Sequence, residues 1–449
     1  MELKEFLRVA ANVKPDKPQL ERLRETPFYA FVHFSPNTYT NLEWGDGTED
    51  PKIFNPTELD CEQWVKAIKS AGMKGLILTA KHHDGFCLWQ TKYTEHSMKN
   101  SPYKNGKGDI VKECADACKK HGIKFGFYLS PWDRNSKYYG TDEYNDYYVN
   151  QLTELLTNYG EIFHVWFDNA CGEGPNGKKQ VYDFDRYIKT IRKYQPNATF
   201  FNDKGGMRWC GNEAGAAAHA QWCVVPFELC SIAEHKTEVE PLMEGSLDDM
   251  RNCDVALGSI SNIMYSKALT FCPAETDMSI RPGWFYHEDE EPHSLDRLFD
   301  TYLRTVGGNT TFNLNIPPMK NGKFNEKDVA RLKELGDKIN SELGKNLAED
   351  ATITENKKNG TYQTEFIIEL PQKRTIKYLD IAETIAEGQK VEAFRIYIKD
   401  ENNLWKFVSS ETTIGSRKIV ALEAVETNGI KVQITSARDE VKLDWMKVY

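Results

Sequence analysis

The sequence contains no long apolar run and no excess of positive charge. No segment of its 449 residues approaches about 18 consecutive apolar residues, so no membrane-spanning helix is predicted. The formal net charge is −10, which argues against nucleic acid and anionic membranes as partners. The first residues, Met1 to Leu7, form no apolar leader. The expected compartment is therefore the cytoplasm, or the periplasm or exterior if a signal peptide has been removed.

Metal-binding and disulfide motifs are also missing. All ten cysteines occur between Cys61 and Cys272 without C-x-x-C spacing, and no H-x-H or H-E-x-x-H motif is present. A disulfide framework is uncommon in a chain of this length, so we expect buried free thiols, which favour a reducing compartment. These absences give no indication of a disulfide framework or of a structural zinc site.

What is present, from about residue 28 to residue 318, is an alternation of short apolar runs and amphipathic helical runs. Strands are predicted at 28–34, 75–82, 124–131, 162–168, 199–203, 221–225, 268–273 and 311–316. Helices are predicted at 61–71, 110–121, 144–159, 181–194 and 295–305. Buried strands that alternate with helices are typical of parallel sheets. About eight such units favour a (β/α)8, TIM-like barrel over a doubly wound sheet.

The pattern of predicted secondary structure changes near residue 350. A predicted helix at 326–343 closes the first part, and short, evenly spaced strands follow at 361–370, 391–398, 418–422, 429–435 and 441–448. Polar turns separate these strands, which is typical of an all-β sandwich. We therefore predict two domains: a catalytic barrel over 1–348 and a C-terminal β-sandwich over 349–449.

Polar and aromatic residues follow the predicted barrel strands. The clearest is Asp168, which ends an apolar run and precedes a loop rich in glycine and proline. A lone aspartate at a strand end more often begins a turn. Five successive strand ends carry such groups, however, and the carboxyl ends of parallel strands meet at one rim, which is where TIM-like barrels place their chemistry. The groups are His33, His82, His83, Asp84, Tyr128, Trp132, Asp133, Arg134, Trp166, Asp168, Asn202 and Asp203.

Two chemistries are open for this rim on the residues alone. His33, His83 and Asp168 are a possible ligand set for a metal-dependent hydrolase. The other chemistry is glycoside hydrolysis by two carboxyl groups, with Asp168 as the nucleophile and a separate proton donor. The candidate donors are Glu213, Glu173, Asp133 and Asp203.

The order of the motifs resembles that of the α-L-fucosidases of glycoside hydrolase family 29. The motifs are His33-Phe34-Ser35, Glu43-Trp44, Lys81-His82-His83-Asp84-Gly85-Phe86, Tyr128-Leu129-Ser130-Pro131-Trp132-Asp133 and Trp166-Phe167-Asp168. The resemblance covers residues from about 25 to 320. It implies a barrel followed by a β-sandwich similar to a galactose-binding jelly roll, with no metal or cofactor.

The resemblance also implies residue roles. Asp168 matches the family nucleophile, which forms a covalent fucosyl-enzyme. The segment from Arg208 to Glu213 resembles the branch that cleaves α1,3- and α1,4-linked fucose from Lewis-type glycans, with Glu213 as the acid/base. The residues implied to hold the sugar are His33, Glu43, Trp44, His82, His83, Tyr128, Trp132, Trp166, Arg208 and Trp284.

Two departures from the family pattern are visible. Asn169 follows the nucleophile where a glycine is common, and Gly45 follows Trp44 where the other branch often has a tyrosine. The expected substrate is a fucosylated oligosaccharide or glycoconjugate, and the oligomeric state is not predicted. The alternatives are a broad-specificity α-L-fucosidase and a fucose-binding protein without catalysis.

Overall fold

The computed structural model describes residues 2–202, 205–230, 235–243, 256–357 and 362–449. Asp203, one of the candidate proton donors, lies outside these described residues. The helices are α1 Leu3–Ala11, α2 Lys17–Glu25, α3 Asn37–Thr40, α4 Cys61–Ser70, α5 Ile110–His121, α6 Glu143–Asn158, α7 Phe184–Tyr194, α8 Ile260–Ile263, α9 Leu295–Thr305 and α10 Glu326–Leu343.

In the described part of the chain, the strands form three sheets. In the N-terminal part they are β1 Phe28–Val32, β2 Gly75–Lys81, β3 Lys124–Leu129, β4 His164–Trp166, β5 Thr199–Asn202, β6 Gly205–Gly206, β7 Arg208–Trp209, β8 Val224–Pro226, β9 Thr237–Glu238, β10 Ala268–Phe271, β11 Ala274–Ser279 and β12 Thr311–Asn315. In the C-terminal part they are β13 Thr352–Lys357, β14 Thr364–Glu383, β15 Val391–Lys399, β16 Trp405–Glu411, β17 Lys418–Ala437 and β18 Leu443–Val448.

Eight parallel strands form a nearly closed barrel. Strands β1 to β5 pair in succession, each parallel to the next. On the other side β1 pairs with β12, β12 with β11, and β11 with β7, again in parallel. A parallel bridge between Phe201 and Met207 connects β5 to the segment that enters β7. The predicted (β/α)8 barrel is confirmed.

The sixth and seventh barrel strands differ from those predicted. The predicted strands at 221–225 and 268–273 overlap β8 and β10, which pair antiparallel in a separate small sheet with β9. The barrel positions belong instead to β7 and β11. Strand β7 is only two residues long, and β11 contains Glu275 and Asp277, which are not typical of a buried strand.

The helices around the barrel begin at clear capping residues. The side chains of Asp60, Asp109 and Asp183 each accept a hydrogen bond from a backbone N–H in the first turn of α4, α5 and α7. Such N-caps satisfy backbone donors that have no partner within the helix. Among the described residues, none of the helices has the length and apolar character needed to cross a membrane.

The C-terminal part is an antiparallel β domain. The 20-residue strands β14 and β17 pair with each other through register shifts, and each also pairs with further strands along its length. Both halves of these long strands contribute to one apolar core that includes Ile368, Leu379, Val420 and Val432. This arrangement gives the predicted C-terminal β domain, while its exact boundary at residue 348/349 stays a prediction.

Candidate active site

A small cavity of about 120 Å³ opens at the carboxyl ends of the barrel strands. Ten of the twelve predicted site residues line it, together with three others that were not predicted. The predicted ones are His33, Glu43, Trp44, His82, His83, Tyr128, Trp166, Asp168, Glu213 and Trp284, and the others are Phe31, Ala170 and Asp277. The strand order therefore brings residues far apart in sequence to one place.

Asp168 is fixed at the end of β4 by hydrogen bonds to both carboxylate oxygens. The Tyr128 hydroxyl donates to Oδ2 at 2.9 Å, and the backbone N–H of Ala170 donates to Oδ1 at 2.8 Å. The His83 Nε2 atom lies 3.7 Å from Oδ2, and the Asp168 side chain is 28% exposed. Asp168 is thus both oriented and reachable from the cavity, as a nucleophile must be.

Glu213 reaches the same cavity from the loop after β7. The indole N–H of Trp284 donates to Glu213 Oε2 at 3.0 Å, and the residue is otherwise exposed. The loop turns at Gly215, which has a φ of +73°, and a Cβ there would lie 2.7 Å from Thr301 Cγ2 and 2.8 Å from Met278 Sδ. A glycine is therefore required for this tight turn.

The hydrogen bonds of Asn315 define the state of His33. The Asn315 amide nitrogen donates to Ser279 Oγ at 2.9 Å and to the Trp284 carbonyl at 2.8 Å. Its oxygen therefore faces His33 and accepts from Nδ1–H at 2.8 Å. The Nε2 atom of His33 is left as a hydrogen-bond acceptor for a ligand.

Hydrogen bonds also define which ring nitrogen carries the proton in the other two histidines. Ser130 Oγ–H donates to the Trp132 carbonyl at 2.7 Å, so it accepts from His83 Nδ1–H at 2.7 Å and leaves Nε2 as an acceptor. The Asn37 amide nitrogen lies 3.4 Å from His82 Nδ1, which makes that atom the acceptor and Nε2–H the donor. Burial lowers the pKa of all three rings, that of His33 to about 3, so they are neutral near pH 7. Three neutral rings with fixed donors and acceptors suit the hydroxyl groups of a sugar.

The turn that carries His82 and His83 is held by buried polar contacts. Asp84 accepts hydrogen bonds from Ser35 Oγ at 2.8 Å and from the Phe86 N–H at 2.7 Å, and burial raises the pKa of Asp84 to about 7. Gly85 has a φ of +78°, and a Cβ there would lie 2.4 Å from Asp133 Oδ1. The Asp-Gly pair in the motif is therefore explained by the shape of this turn.

Asp133, a candidate proton donor, has a structural role instead. It forms an ion pair of 3.0 Å with Lys81, with side-chain exposures of 1% and 0% respectively. Its other oxygen accepts the backbone N–H groups of Asn135 and Ser136 at 3.0 and 2.8 Å. No part of Asp133 faces the cavity.

Replacement of Lys81 should show how much the Lys81–Asp133 ion pair contributes to the stability of the fold. We expect Lys81→Met to lower the free energy of unfolding by about 3 kcal/mol, since it leaves a buried carboxylate without its cation. Lys112→Met, which removes the exposed pair between Lys112 and Asp116, should change it by less than about 0.5 kcal/mol. Urea denaturation of both variants checks this, and equal effects would contradict the structural role of the buried pair.

Aromatic side chains form the floor and one wall of the cavity. The Trp166 ring stacks on Phe201 with centroids 4.1 Å apart and an interplanar angle of 8°, and Phe31 packs against both Trp166 and Tyr128. Trp44 lies at the mouth and is 61% exposed. An apolar floor with an exposed indole at the rim can accept a sugar ring and its neighbour.

Glu43 lines the cavity but its carboxylate is occupied by a loop. It accepts the backbone N–H groups of Trp284 and Phe285 at 2.9 and 3.2 Å, and a ring N–H of His287 at 2.7 Å. In this structure Glu43 therefore positions Trp284, and the indole in turn contacts Glu213.

Three predicted candidates lie away from the cavity. Trp132 packs behind it, with ring centroids 4.9 Å from His83 and 5.8 Å from Trp44. Arg208 is buried and donates to Gln221 Oε1 at 2.8 Å and to the Trp222 carbonyl at 3.1 Å. Glu173 is exposed and does not line the cavity.

The sequence analysis missed two acids on β11. Asp277 lines the cavity and accepts the indole N–H of Trp209 at 2.8 Å, and burial raises its pKa well above the ordinary range. Glu275 accepts the indole N–H of Trp166 at 2.7 Å and lies 3.5 Å from Arg22 of α2. Their spacing of two residues directly after an apolar run was a signal for one face of a strand.

A metal centre is not formed by these groups. Within the described residues, no set of three or more His, Cys, Asp or Glu side chains is arranged to hold a metal ion. His33, His83 and Asp168 therefore do not form the ligand set that the sequence left open.

Comparisons with known proteins show the family of this chain. A family model described as alpha-L-fucosidase matches residues 19–224 and 249–342. The chain is 37% identical over 448 residues to Alpha-L-fucosidase 1 of Arabidopsis thaliana, which covers 93% of this chain and 84% of that protein. A crystal structure from Bacteroides ovatus, of a protein proposed to be an α-L-fucosidase, has 41% identity and a TM-score of 0.89, and covers 100% of this chain and 76% of that one. The Ruminococcus gnavus GH29 fucosidase in complex with fucose has 28% identity and a TM-score of 0.84, and covers 98% and 95%. The chain therefore belongs to the α-L-fucosidases of glycoside hydrolase family 29.

Proposed function

We propose that this protein is a retaining exo-α-L-fucosidase that removes α1,3- and α1,4-linked fucose from branched, Lewis-type glycans. The observation that carries the proposal is that Asp168 and Glu213, from two different strand ends, line one small cavity. Retaining glycosidases need two carboxyl groups that flank the scissile bond, one as the nucleophile and one as the acid/base.

The first step forms a covalent intermediate. An oxygen of the Asp168 carboxylate bonds to the anomeric carbon, the glycosidic C–O bond breaks, and the Glu213 carboxyl gives its proton to the departing oxygen. In the second step a water molecule gives a proton to Glu213 and attacks the anomeric carbon, which releases Asp168. Two inversions at one carbon retain its configuration.

The remaining lining groups would bind the sugar. The acceptors on His33 and His83 and the donor on His82 match the mixed donor and acceptor character of hydroxyl groups. The aromatic floor of Phe31 and Trp166 suits the methyl group of fucose, since fucose lacks a 6-hydroxyl. Such a wall would discriminate against a hydroxylated sugar by about 1–3 kcal/mol. The small size of the cavity favours a terminal sugar over one inside a chain.

The preference for branched glycans is supported by the position of Glu213. It follows β7 in the segment from Arg208 that resembles the narrower branch of the family. Trp44, exposed at the mouth, and Trp284, which contacts Glu213, offer surfaces for the sugars around the scissile bond.

Release of fucose from a panel of sugars tests this function. The panel contains Lewis-type trisaccharides with α1,3- and α1,4-fucose, an α1,2-fucosyllactose and an aryl fucoside, each with and without a chelator. We expect release from the branched sugars to be at least about tenfold faster than from the others, unaffected by the chelator. Equal release from all four would indicate a broad-specificity enzyme, and no release from any would indicate a fucose-binding protein.

A further inference from the structure

The loop that carries Glu213 lies between the two domains. We define the Glu213 loop as residues 210–223. Its outgoing limb follows β11 of the barrel, where Cys210 N–H donates to the Glu275 carbonyl at 3.0 Å and Gly215 N–H to the Asp277 carbonyl at 3.2 Å. Its return limb leaves this strand and runs along the C-terminal β domain.

Gln389 of the C-terminal domain holds the return limb through two hydrogen bonds. Its Nε2 donates to the Gln221 carbonyl at 2.8 Å, and its Oε1 accepts the Cys223 N–H at 2.7 Å. The side chain is fully buried. A buried amide that pairs with two backbone groups in this way replaces a strand partner, and its loss would leave the Cys223 N–H unsatisfied and remove one of the donors to the Gln221 carbonyl.

Further contacts reinforce this attachment, one through Asn309 of the barrel part and two from the C-terminal domain itself. Asn309 donates to the Gln221 carbonyl at 3.0 Å and accepts the Ser416 N–H at 2.7 Å. Thr412 Oγ1 donates to the His219 carbonyl at 3.1 Å. The Arg438 guanidinium lies 3.5 Å from the centroid of the Trp222 ring, which is close enough for a cation–π contact.

Arg208 closes the base of the loop from the barrel side, since it donates to both Gln221 and Trp222. The barrel thus fixes the beginning of the Glu213 loop, and the barrel and the C-terminal domain together fix its end. Among the described residues, the Glu213 side chain has one hydrogen bond, to Trp284. The position of its carboxyl group therefore depends on how both limbs are held.

We propose that the C-terminal β domain positions the general acid of this enzyme, with Gln389 as the main positioning residue. The inference rests on the proposed function, in which Glu213 is the acid/base. A general acid must lie within hydrogen-bond distance of the glycosidic oxygen, and a displacement of about 1 Å can cost about 100-fold in rate. The C-terminal domain is, on this view, part of the catalytic apparatus rather than a separate module.

The test uses two substrates that differ in their need for an acid. The variant is Gln389→Met, which keeps the size of the side chain but removes both hydrogen bonds. We expect kcat/KM for a Lewis-type trisaccharide to fall about 10- to 100-fold, and kcat/KM for α-fucosyl fluoride to change less than about threefold, because fluoride leaves without a proton. Loop loosening should also appear as faster hydrogen exchange in residues 211–223.

A matched control separates this effect from general loss of stability. Thr427 is buried in the C-terminal sheet and donates to the Lys399 and Gly429 carbonyls at 2.9 and 3.0 Å, away from the Glu213 loop. Thr427→Val should leave kcat/KM for both substrates within about twofold. If Gln389→Met does not fold, Thr412→Val is measured instead, with the same selective loss expected at about threefold to tenfold.

The outcomes also separate this inference from the proposed function. Equal losses on both substrates, or no loss on the trisaccharide, would overturn the positioning role while leaving the fucosidase intact. Glu213→Ala serves as the reference variant. If it retains trisaccharide hydrolysis, Glu213 is not the acid, and both the assignment and this inference fail together.

Discussion

Replacement of Asp168 by asparagine is expected to lower kcat/KM by at least about 10⁴-fold for every fucoside, α-fucosyl fluoride included. The amide has nearly the same shape and can still accept a hydrogen bond from Tyr128 or Ala170, but it cannot form the covalent intermediate. Because the nucleophile acts on the anomeric carbon itself, an easier leaving group does not bypass the loss. Sugar binding should remain, measurable by calorimetry with fucose.

Azide and a neighbouring carboxylate supply the controls for this variant. Asp168→Ala with azide should yield β-fucosyl azide, since the anion takes the place of the carboxylate and inverts the anomeric carbon once. Glu173→Gln changes an exposed acid on the same loop that does not line the cavity, and should stay within about twofold of the wild-type rate. If Asp168→Asn kept normal turnover of the fluoride, the nucleophile would have to be another residue.

Glu213→Ala should produce a loss that depends on the leaving group. We expect kcat/KM for a Lewis-type trisaccharide to fall about 10²- to 10⁴-fold, the usual contribution of a general acid. The same quantity for α-fucosyl fluoride should change less than about threefold, since it reports the step that forms the fucosyl-enzyme. Its kcat should fall, because the water that attacks the intermediate loses its base.

The configuration of the product formed with azide shows whether Glu213 is the acid/base or the nucleophile. In Glu213→Ala, azide enters from the face that the leaving group vacated and reacts with the fucosyl-enzyme without a base. It should raise kcat for the fluoride and yield α-fucosyl azide, the product of two inversions. Trp284→Phe is a useful companion, since it removes the indole N–H that holds Glu213 Oε2 and should give a smaller loss in the same direction. A β-azide from Glu213→Ala would assign this residue to the other role.

Much of the site could be predicted because its residues follow strands that are recognisable on their own. The apolar runs before His33, His82 and Asp168 are strong local signals, and the parallel barrel brings the ends of such strands together wherever the helices between them are well formed. The motif with Asp84 and Gly85 is local in the same sense, since its turn needs a glycine next to a buried carboxyl.

Strands β7 and β11 could not be predicted in this way. Strand β7 is too short for a periodic signal, and β11 carries acids that can be buried only because they find partners elsewhere in the chain. Glu275 is tolerated inside the barrel because Arg22, Trp166 and Tyr29 surround it. Those partners lie far away in sequence, so the local pattern can indicate a strand but not that its acids are buried inside the barrel.

The chain's local pattern thus determined the barrel, the C-terminal β domain and the cavity residues that end strands. Tertiary packing decided what the side chains contact: Arg208 closes the base of the Glu213 loop, Glu43 holds the segment that carries Trp284, and Gln389 joins the C-terminal domain to the Glu213 loop. Strand and helix periodicity depends on neighbours two to four positions away. A buried polar side chain instead takes whichever partner the fold brings within hydrogen-bond distance, and that choice is made only when distant parts of the chain pack together.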